Sequence, residues 1–283
     1  MRPDDPGARY TTEGAHRRSA VEARERNRGS ADVEDERDDA RQTGSEPEMT
    51  IQRASSPEAR RGGYAALWDV DGVIIDSGEQ HRQAWEALAR ERAYPYSDAA
   101  FWAGFGMRNS DSIPLMFGVA GPPELLVALS ERKEELYREL LRREARALPG
   151  ARELLTALHA AGYRQALGSS APLVNIEAII SLLQIGPLLD GFVSGEHVAH
   201  GKPAPDIFLA GAALLGVAPQ RCVVFEDAPA GVAAARAGGM RCIAVRRAGQ
   251  PDAPGLELAD RIVDSLSDLT LADIDHLLGA EPQ

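Results

Sequence analysis

Through most of its length this chain alternates short apolar runs with amphipathic stretches, and the strongest runs end in small or acidic residues. Tyr64–Val70 (YAALWDV) leads into Asp-Gly, Tyr163–Ser169 (YRQALGS) ends in small polar residues, and Arg221–Asp227 (RCVVFED) ends in two acids. Arg241–Arg246 (RCIAVR) follows a Gly-Gly pair, and weaker runs lie near Gly191–Ser194 and Arg261–Val263. Helical spacing occupies the intervals Ala151–Ala161, Leu173–Leu183, Asp206–Leu215, Ala230–Ala237 and Leu269–Leu278. Strands alternating with helices predict βαβ units in an α/β, doubly wound parallel sheet. In such sheets ligands bind beyond the carboxyl ends of the strands, near the point where strand order reverses. The residues that close each run are therefore the candidates for chemistry.

Between about Gly78 and Pro149 the alternation stops. Glu79–Arg92 carries Trp85, Leu88 and Ala89 at helical spacing, and Glu124–Arg146 is long, amphipathic and laced with charge. No good strand candidate falls between them. An all-helical insertion of roughly 70 residues after the first strand is expected to form a separate α-helical cap domain. The expected division is a catalytic core of residues 63–78 and 149–283, with the cap at 79–148. Residues 1–62 hold 12 Arg and 14 Asp or Glu and almost no large apolar residues. Such a segment cannot bury enough apolar surface to offset its ordering entropy, so a disordered extension is expected. A translation start at Met49 is an alternative reading, and the intact mass of the native protein tests it.

The formal net charge of −12 argues against nucleic acid as the main partner, because phosphate backbones demand an excess of Lys and Arg. No stretch approaches the ~20 apolar residues of a membrane span, and the N-terminus has no apolar secretory segment. Two cysteines, Cys222 and Cys242, both inside apolar runs, read as buried, reduced thiols. A cytoplasmic protein, monomeric by default, is expected. The 31 basic residues include only two lysines, Lys133 and Lys202. In a chain that otherwise uses arginine, a retained lysine is more often required as a lysine.

Four run-ends carry related chemistry. In Trp68-Asp69-Val70-Asp71-Gly72, two acids stand two apart at a strand end. Close carboxylates stay ionised when a cation lies near them, and their hard oxygens suit Mg²⁺. One can then act as nucleophile while the other moves protons. A plain surface turn is the bland alternative for that motif alone. Gly168-Ser169-Ser170-Ala171-Pro172 offers hydroxyls and N–H groups to a phosphate oxygen, or an ordinary helix cap. Gly201-Lys202-Pro203-Ala204-Pro205-Asp206 sets a lysine before a helix, where acids are usual, and that suits an anion; a solvated loop lysine is the alternative. Phe225-Glu226-Asp227-Ala228-Pro229-Ala230-Gly231 adds two acids as metal ligands, with a helix-start acid as the alternative for Glu226.

Together and in this order, the four resemble the motifs of the haloacid dehalogenase superfamily, in the subfamily with a helical cap after the first strand. The resemblance covers about Tyr64 to Asp264. It implies that Asp69 is the nucleophile that forms an aspartyl-phosphate and Asp71 the general acid and base. Ser169 would hold a phosphoryl oxygen, with Ser170 beside it toward the substrate, and Lys202 would neutralise developing charge. Asp69, Asp227 and the backbone carbonyl of Asp71 would face the metal, with Glu226 either a further ligand or a residue just behind the ligands. An acid at Asp71 resembles the phosphatase and mutase branches rather than the dehalogenases. Within the cap, His81 and Trp85, Arg108 in Gly106-Met107-Arg108-Asn109-Ser110, and Lys133 with Tyr137 resemble β-phosphoglucomutase. His81, Arg108 and Lys133 are thus expected to touch substrate, whereas Trp85 reads as cap packing. For Lys133 the alternative is a solvated lysine paired with Glu134 or Glu135. The function so implied is a Mg²⁺-dependent phosphatase of a small phosphorylated metabolite such as a sugar phosphate, with a phosphosugar mutase as the alternative. A signalling receiver module, which also phosphorylates an aspartate, fits less well: it is shorter, separates its acid pair from that aspartate and has no inserted helices.

Overall fold

The computed structural model describes residues 63–246 and 254–280, which belong to one compact unit. The expected extension at 1–62 and the alternative start at Met49 lie outside the described residues. Six parallel strands form one sheet: β1 Ala65–Trp68, β2 Arg164–Ser169, β3 Gly191–Ser194, β4 Cys222–Glu226, β5 Arg241–Val245 and β6 Arg261–Val263. Their order is β3-β2-β1-β4-β5-β6. The chain first winds outward from β1 through β2 to β3. It then crosses back to lay β4 on the other side of β1. The switch point therefore lies between β1 and β4, with Ala65 opposite Cys222 and Trp68 opposite Phe225.

The central strands are apolar on both faces, as a parallel sheet covered on both sides requires. Ala66, Trp68, Leu167, Val223, Phe225, Ile243 and Val245 face one apolar cluster. Their neighbours Ala65, Leu67, Ala166, Cys222, Val224, Cys242 and Ala244 face the other. The first face is covered by α5 (Ala151–Ala160), α6 (Leu173–Leu183) and α9 (Leu271–Leu278). The second is covered by α7 (Asp206–Leu215) and α8 (Pro229–Ala237). Trp68 stacks on Phe225 with ring centroids 4.0 Å apart, which ties β1 to β4 next to the switch point.

Between β1 and α5 the chain makes only helices of any length: Gly78–Arg92, Asp98–Gly104, Asn109–Phe117 and Pro123–Glu144. These four are αA, αB, αC and αD. They share a cluster of their own built on Trp85, Leu88, Phe101, Ile113, Phe117 and Leu129. The long αD packs along αA, and its Tyr137 and Leu141 also reach the first core cluster. The two connections of this insertion run side by side. Asp76 N–H donates to the Arg146 carbonyl (3.0 Å) and Leu148 N–H to the Ile74 carbonyl (3.0 Å). Because both begin beside β1, the insertion stands over the carboxyl end of the sheet. No helix among the described residues is long and apolar enough to cross a membrane.

Candidate active site

β1 ends at Trp68, so Asp69 is the first residue beyond the strand. Its N–H is still held by the Phe225 carbonyl (2.9 Å). Gly72, at φ +83°, turns the chain immediately after Asp71 in a conformation that favours glycine. Both acids thus project from the strand tip rather than continuing the sheet. Glu226 closes β4 and Asp227 follows it. Side-chain oxygens of Asp69, Glu226 and Asp227 all lie within 4.8 Å of one another, and all three residues are buried.

Lys202 reaches into this group from the loop before α7. Its Nζ donates to Asp69 Oδ1 at 2.6 Å and to Glu226 Oε1. It is 2% exposed, which rules out a solvated loop lysine. The other Glu226 oxygen accepts from the N–H groups of Asp227 and Ala228, each at 2.7 Å. Glu226 is therefore a buried strand-end acid and not an exposed helix-start residue. Burial pushes the Asp69 carboxyl well above its ordinary range; Lys202 opposes that, while Glu226, Asp227 and Asp71 add to it. Burial also works against the Lys202 charge, but Asp69 and Glu226 hold the ammonium above its usual value. Three clustered carboxylates with one ammonium form a hard-oxygen donor set carrying excess negative charge. That set fits a divalent cation such as Mg²⁺.

Asp71 faces the helical insertion. Its Oδ1 accepts from the Ser77 hydroxyl (2.6 Å), from His81 Nε2 (3.1 Å) and from the Tyr137 hydroxyl (3.1 Å). Burial alone would raise this carboxyl, yet His81, Ser77 and Lys133 outweigh burial and hold it below the carboxylate range. Behind His81 stands Lys133, with Nζ 2.7 Å from His81 Nδ1 and 2.8 Å from Glu134 Oε1. An ammonium only donates, so Nδ1 accepts and the ring proton sits on Nε2, directed at Asp71. Burial and Lys133 together lower the His81 pKa, in keeping with a neutral ring. The imidazole lies flat on Tyr137, with centroids 3.9 Å apart.

A pocket between sheet and insertion is lined by Asp69, Asp71, Ser169 and Ser170 from the core and by His81, Trp85, Phe105, Asn109, Lys133 and Glu134 among others from the insertion. The structure thus gathers Asp69, Asp71, Ser169, Ser170, His81 and Lys133 around one cavity, with Lys202, Glu226 and Asp227 grouped beside Asp69. The Ser170 hydroxyl donates to the Gly106 carbonyl (2.9 Å), so it bridges core and insertion. Trp85 packs inside the insertion and also walls the pocket.

Arg108 is placed differently. It immediately precedes αC with an extended backbone, and its guanidinium donates to the carbonyls of Val198 (2.7 Å) and Ala199 (3.2 Å). It is not among the residues lining the pocket, and the next residue, Asn109, takes that place. Lys133 pairs with Glu134, but both are buried rather than solvated. Cys222 and Cys242 are buried; burial pushes the Cys222 thiol up to about 12 and the Cys242 thiol higher still.

A family model for haloacid dehalogenase-like hydrolases matches residues 65–239. The chain belongs to that family. Hexitol phosphatase A of Escherichia coli (strain K12) is 36% identical over 206 residues, covering 72% of this chain and 92% of the relative. A β-phosphoglucomutase of Mycobacterium bovis is 33% identical over 259 residues, covering 79% and 96%. Among solved structures, CbbY from Rhodobacter sphaeroides in complex with xylulose-(1,5)bisphosphate superposes with a TM-score of 0.67 at 25% identity, covering 75% of this chain and 99% of that one. Within the family frame, Ser77, Asn109 and Asn175 emerge as residues the sequence reading did not single out, and Tyr137, singled out there beside Lys133, gains a partner. Ser77 and Tyr137 hold Asp71, while Asn109 and Asn175 hold Glu134 at 2.7 and 2.5 Å. Asn175 interrupts the short apolar stretch Leu173-Val174-Asn175-Ile176, and that was the one signal available for it.

Proposed function

We propose that this protein is a Mg²⁺-dependent phosphatase that hydrolyses a sugar phosphate through a phosphoaspartate on Asp69. The observation that carries the reading is the buried Lys202 bridge between Asp69 and Glu226, with Asp71 two residues on and held by three donors. Phosphoryl transfer needs positioning and charge stabilisation above all, and this site supplies both. Asp69, Glu226, Asp227 and the Asp71 carbonyl would hold the ion. When bound, Mg²⁺ supplies positive charge to the nucleophile and the phosphoryl oxygens.

The Asp69 carboxylate attacks phosphorus, and the bond to the sugar oxygen breaks. Lys202 offsets charge on the nucleophile, and Ser169 orients a phosphoryl oxygen. Asp71, once parted from the donors that hold it as a carboxylate, takes up a proton from solvent and gives it to the leaving oxygen. As a carboxylate it then takes a proton from the water that cleaves the phosphoaspartate. The insertion acts as a cap, with His81 and Lys133 facing the leaving group and water excluded while the sugar is bound. The similarity to hexitol phosphatase A supports the phosphatase reading. The similarity to β-phosphoglucomutase supports a second one, in which another phosphosugar receives the phosphoryl group. Both readings keep the enzyme a cytoplasmic monomer.

The test is the purified full chain with Mg²⁺ and β-glucose 1-phosphate, primed with glucose 1,6-bisphosphate, beside a panel of sugar phosphates. Release of free phosphate from the panel supports the phosphatase. Rapid glucose 6-phosphate with little free phosphate supports the mutase. Activity that survives Asp69→Asn overturns both.

A further inference from the structure

The pocket wall contributed by the insertion has an unusual charge balance. Lys133 is the one cation among the residues lining the pocket, and its Nζ is 2.8 Å from Glu134 Oε1. Glu134 is only 4% exposed, yet it stays charged. Burial raises its carboxyl, but Lys133 and the amide of Asn109 hold it below the ordinary range. Asn175 Nδ2 anchors the second oxygen, and Arg138 in turn donates to Asn175 Oδ1 at 3.1 Å. The wall therefore pairs one positive with one negative charge. His81 is neutral, and Arg108 is committed to backbone carbonyls outside the pocket. αC begins at this wall, but Asp111 stands in its first turn and offsets the positive helix end.

A second phosphate group on a substrate would have to sit against this wall. A phosphate dianion only accepts hydrogen bonds, and the Glu134 carboxylate likewise only accepts. The two repel, and Lys133 is already neutralised. A hydroxyl both donates and accepts, so it satisfies Glu134, Lys133 and the Asn109 amide together. Trp85, Phe101 and Phe105 offer apolar surface to the C–H faces of a sugar or polyol.

We infer that Glu134 determines substrate class at this wall: it selects a single phosphate ester of an uncharged, hydroxyl-rich alcohol and rejects bisphosphates. This rests on the phosphatase reading of the site for its chemistry, but its geometry concerns binding alone. The related proteins divide on this point, since one binds a bisphosphate and another is named for a hexitol phosphate.

Fructose 1-phosphate and fructose 1,6-bisphosphate differ by one phosphate on the same sugar. Calorimetry on full-length Asp69→Asn with Mg²⁺ should give binding of the monophosphate ~10-fold or more tighter, because one close charge in a partly buried site is worth at least a decade. Glu134→Gln on that background leaves the wall with a net positive charge and should shrink the ratio by about 10-fold. Asn109→Arg adds a cation while keeping Glu134, and should move the ratio the same way even where Glu134→Gln does not fold. Equal binding of the two sugars by Asp69→Asn overturns the inference. So does a ratio that neither variant changes. Hydrolysis of 4-nitrophenyl phosphate by the unaltered chain tests the phosphatase reading separately: absence of hydrolysis with the ratio intact removes that reading and leaves Glu134 as the selector.

Discussion

Replacing Gly231 with alanine should destabilise the protein although helix propensity argues the reverse. Gly231 lies in the first turn of α8, where alanine would contribute ~1 kcal/mol over glycine. A Cβ built at this position falls 1.8 Å from Glu226 Oε1 and 2.0 Å from its Cδ. Glu226 cannot swing aside cheaply. It is fully buried, and its oxygens bind Lys202 and the N–H groups of Asp227 and Ala228. Breaking a buried ion pair of this kind costs about 3–5 kcal/mol. Subtracting the propensity gain leaves a net loss of roughly 2–4 kcal/mol. For a folded domain of this size that lowers Tm by roughly 5–15 °C. Displacing Glu226 also disturbs the carboxylate cluster and Lys202, so phosphate release should fall by about 10-fold or more. A thermal melt and a phosphate-release assay on the same preparation measure both quantities. A variant as stable and as active as the parent would refute the reasoning, because it would mean that the space beside Gly231 does not position Glu226.

Other expectations follow from the same geometry. Mg²⁺ at 100 times its dissociation constant should stabilise the protein by about 2.7 kcal/mol, and Asp227→Asn should remove most of that shift in a melt with and without chelator. Arg108→Ala removes two hydrogen bonds between insertion and core and should speed hydrogen exchange across the Val198–Ala199 loop and αC. Unchanged exchange there would count against Arg108 as a latch. Asp273 is held down to about 2, first by the Thr270 hydroxyl and then by Arg261. Its folded value is depressed, so its contribution is present above the unfolded carboxylate value of about 3.9 and is lost as pH falls toward the folded value. Asp273→Asn should flatten the stability profile in that window, lowering stability at neutral pH and converging on the parent at low pH, as read by urea melts across pH.

Much of the architecture can be read from one dimension because parallel strands buried on both faces must be apolar runs, and their crossovers must be helices. The runs Tyr64–Val70, Tyr163–Ser169 and Arg221–Asp227 hold strands that end at Trp68, Ser169 and Glu226. The scarcity of lysine was also informative: both lysines are buried, Lys202 against Asp69 and Glu226 and Lys133 against His81 and Glu134. Each ammonium is a compact point charge, which arginine's planar fork does not reproduce. Sequence therefore determined the sheet, the helical insertion and the carboxylate cluster, since each depends on residue type at local spacing.

Only the tertiary structure decided how the insertion meets that cluster. Glu134 and Asn175 are 41 positions apart and lie on different elements, so no spacing rule connects them. Arg108 and Asn109 are neighbours, yet one binds the core backbone and the other lines the pocket, because the turn into αC sends successive side chains in different directions. Contacts of this kind depend on how the helical layer is set against the sheet. That placement follows from packing summed over many distant residues, and no local pattern encodes it.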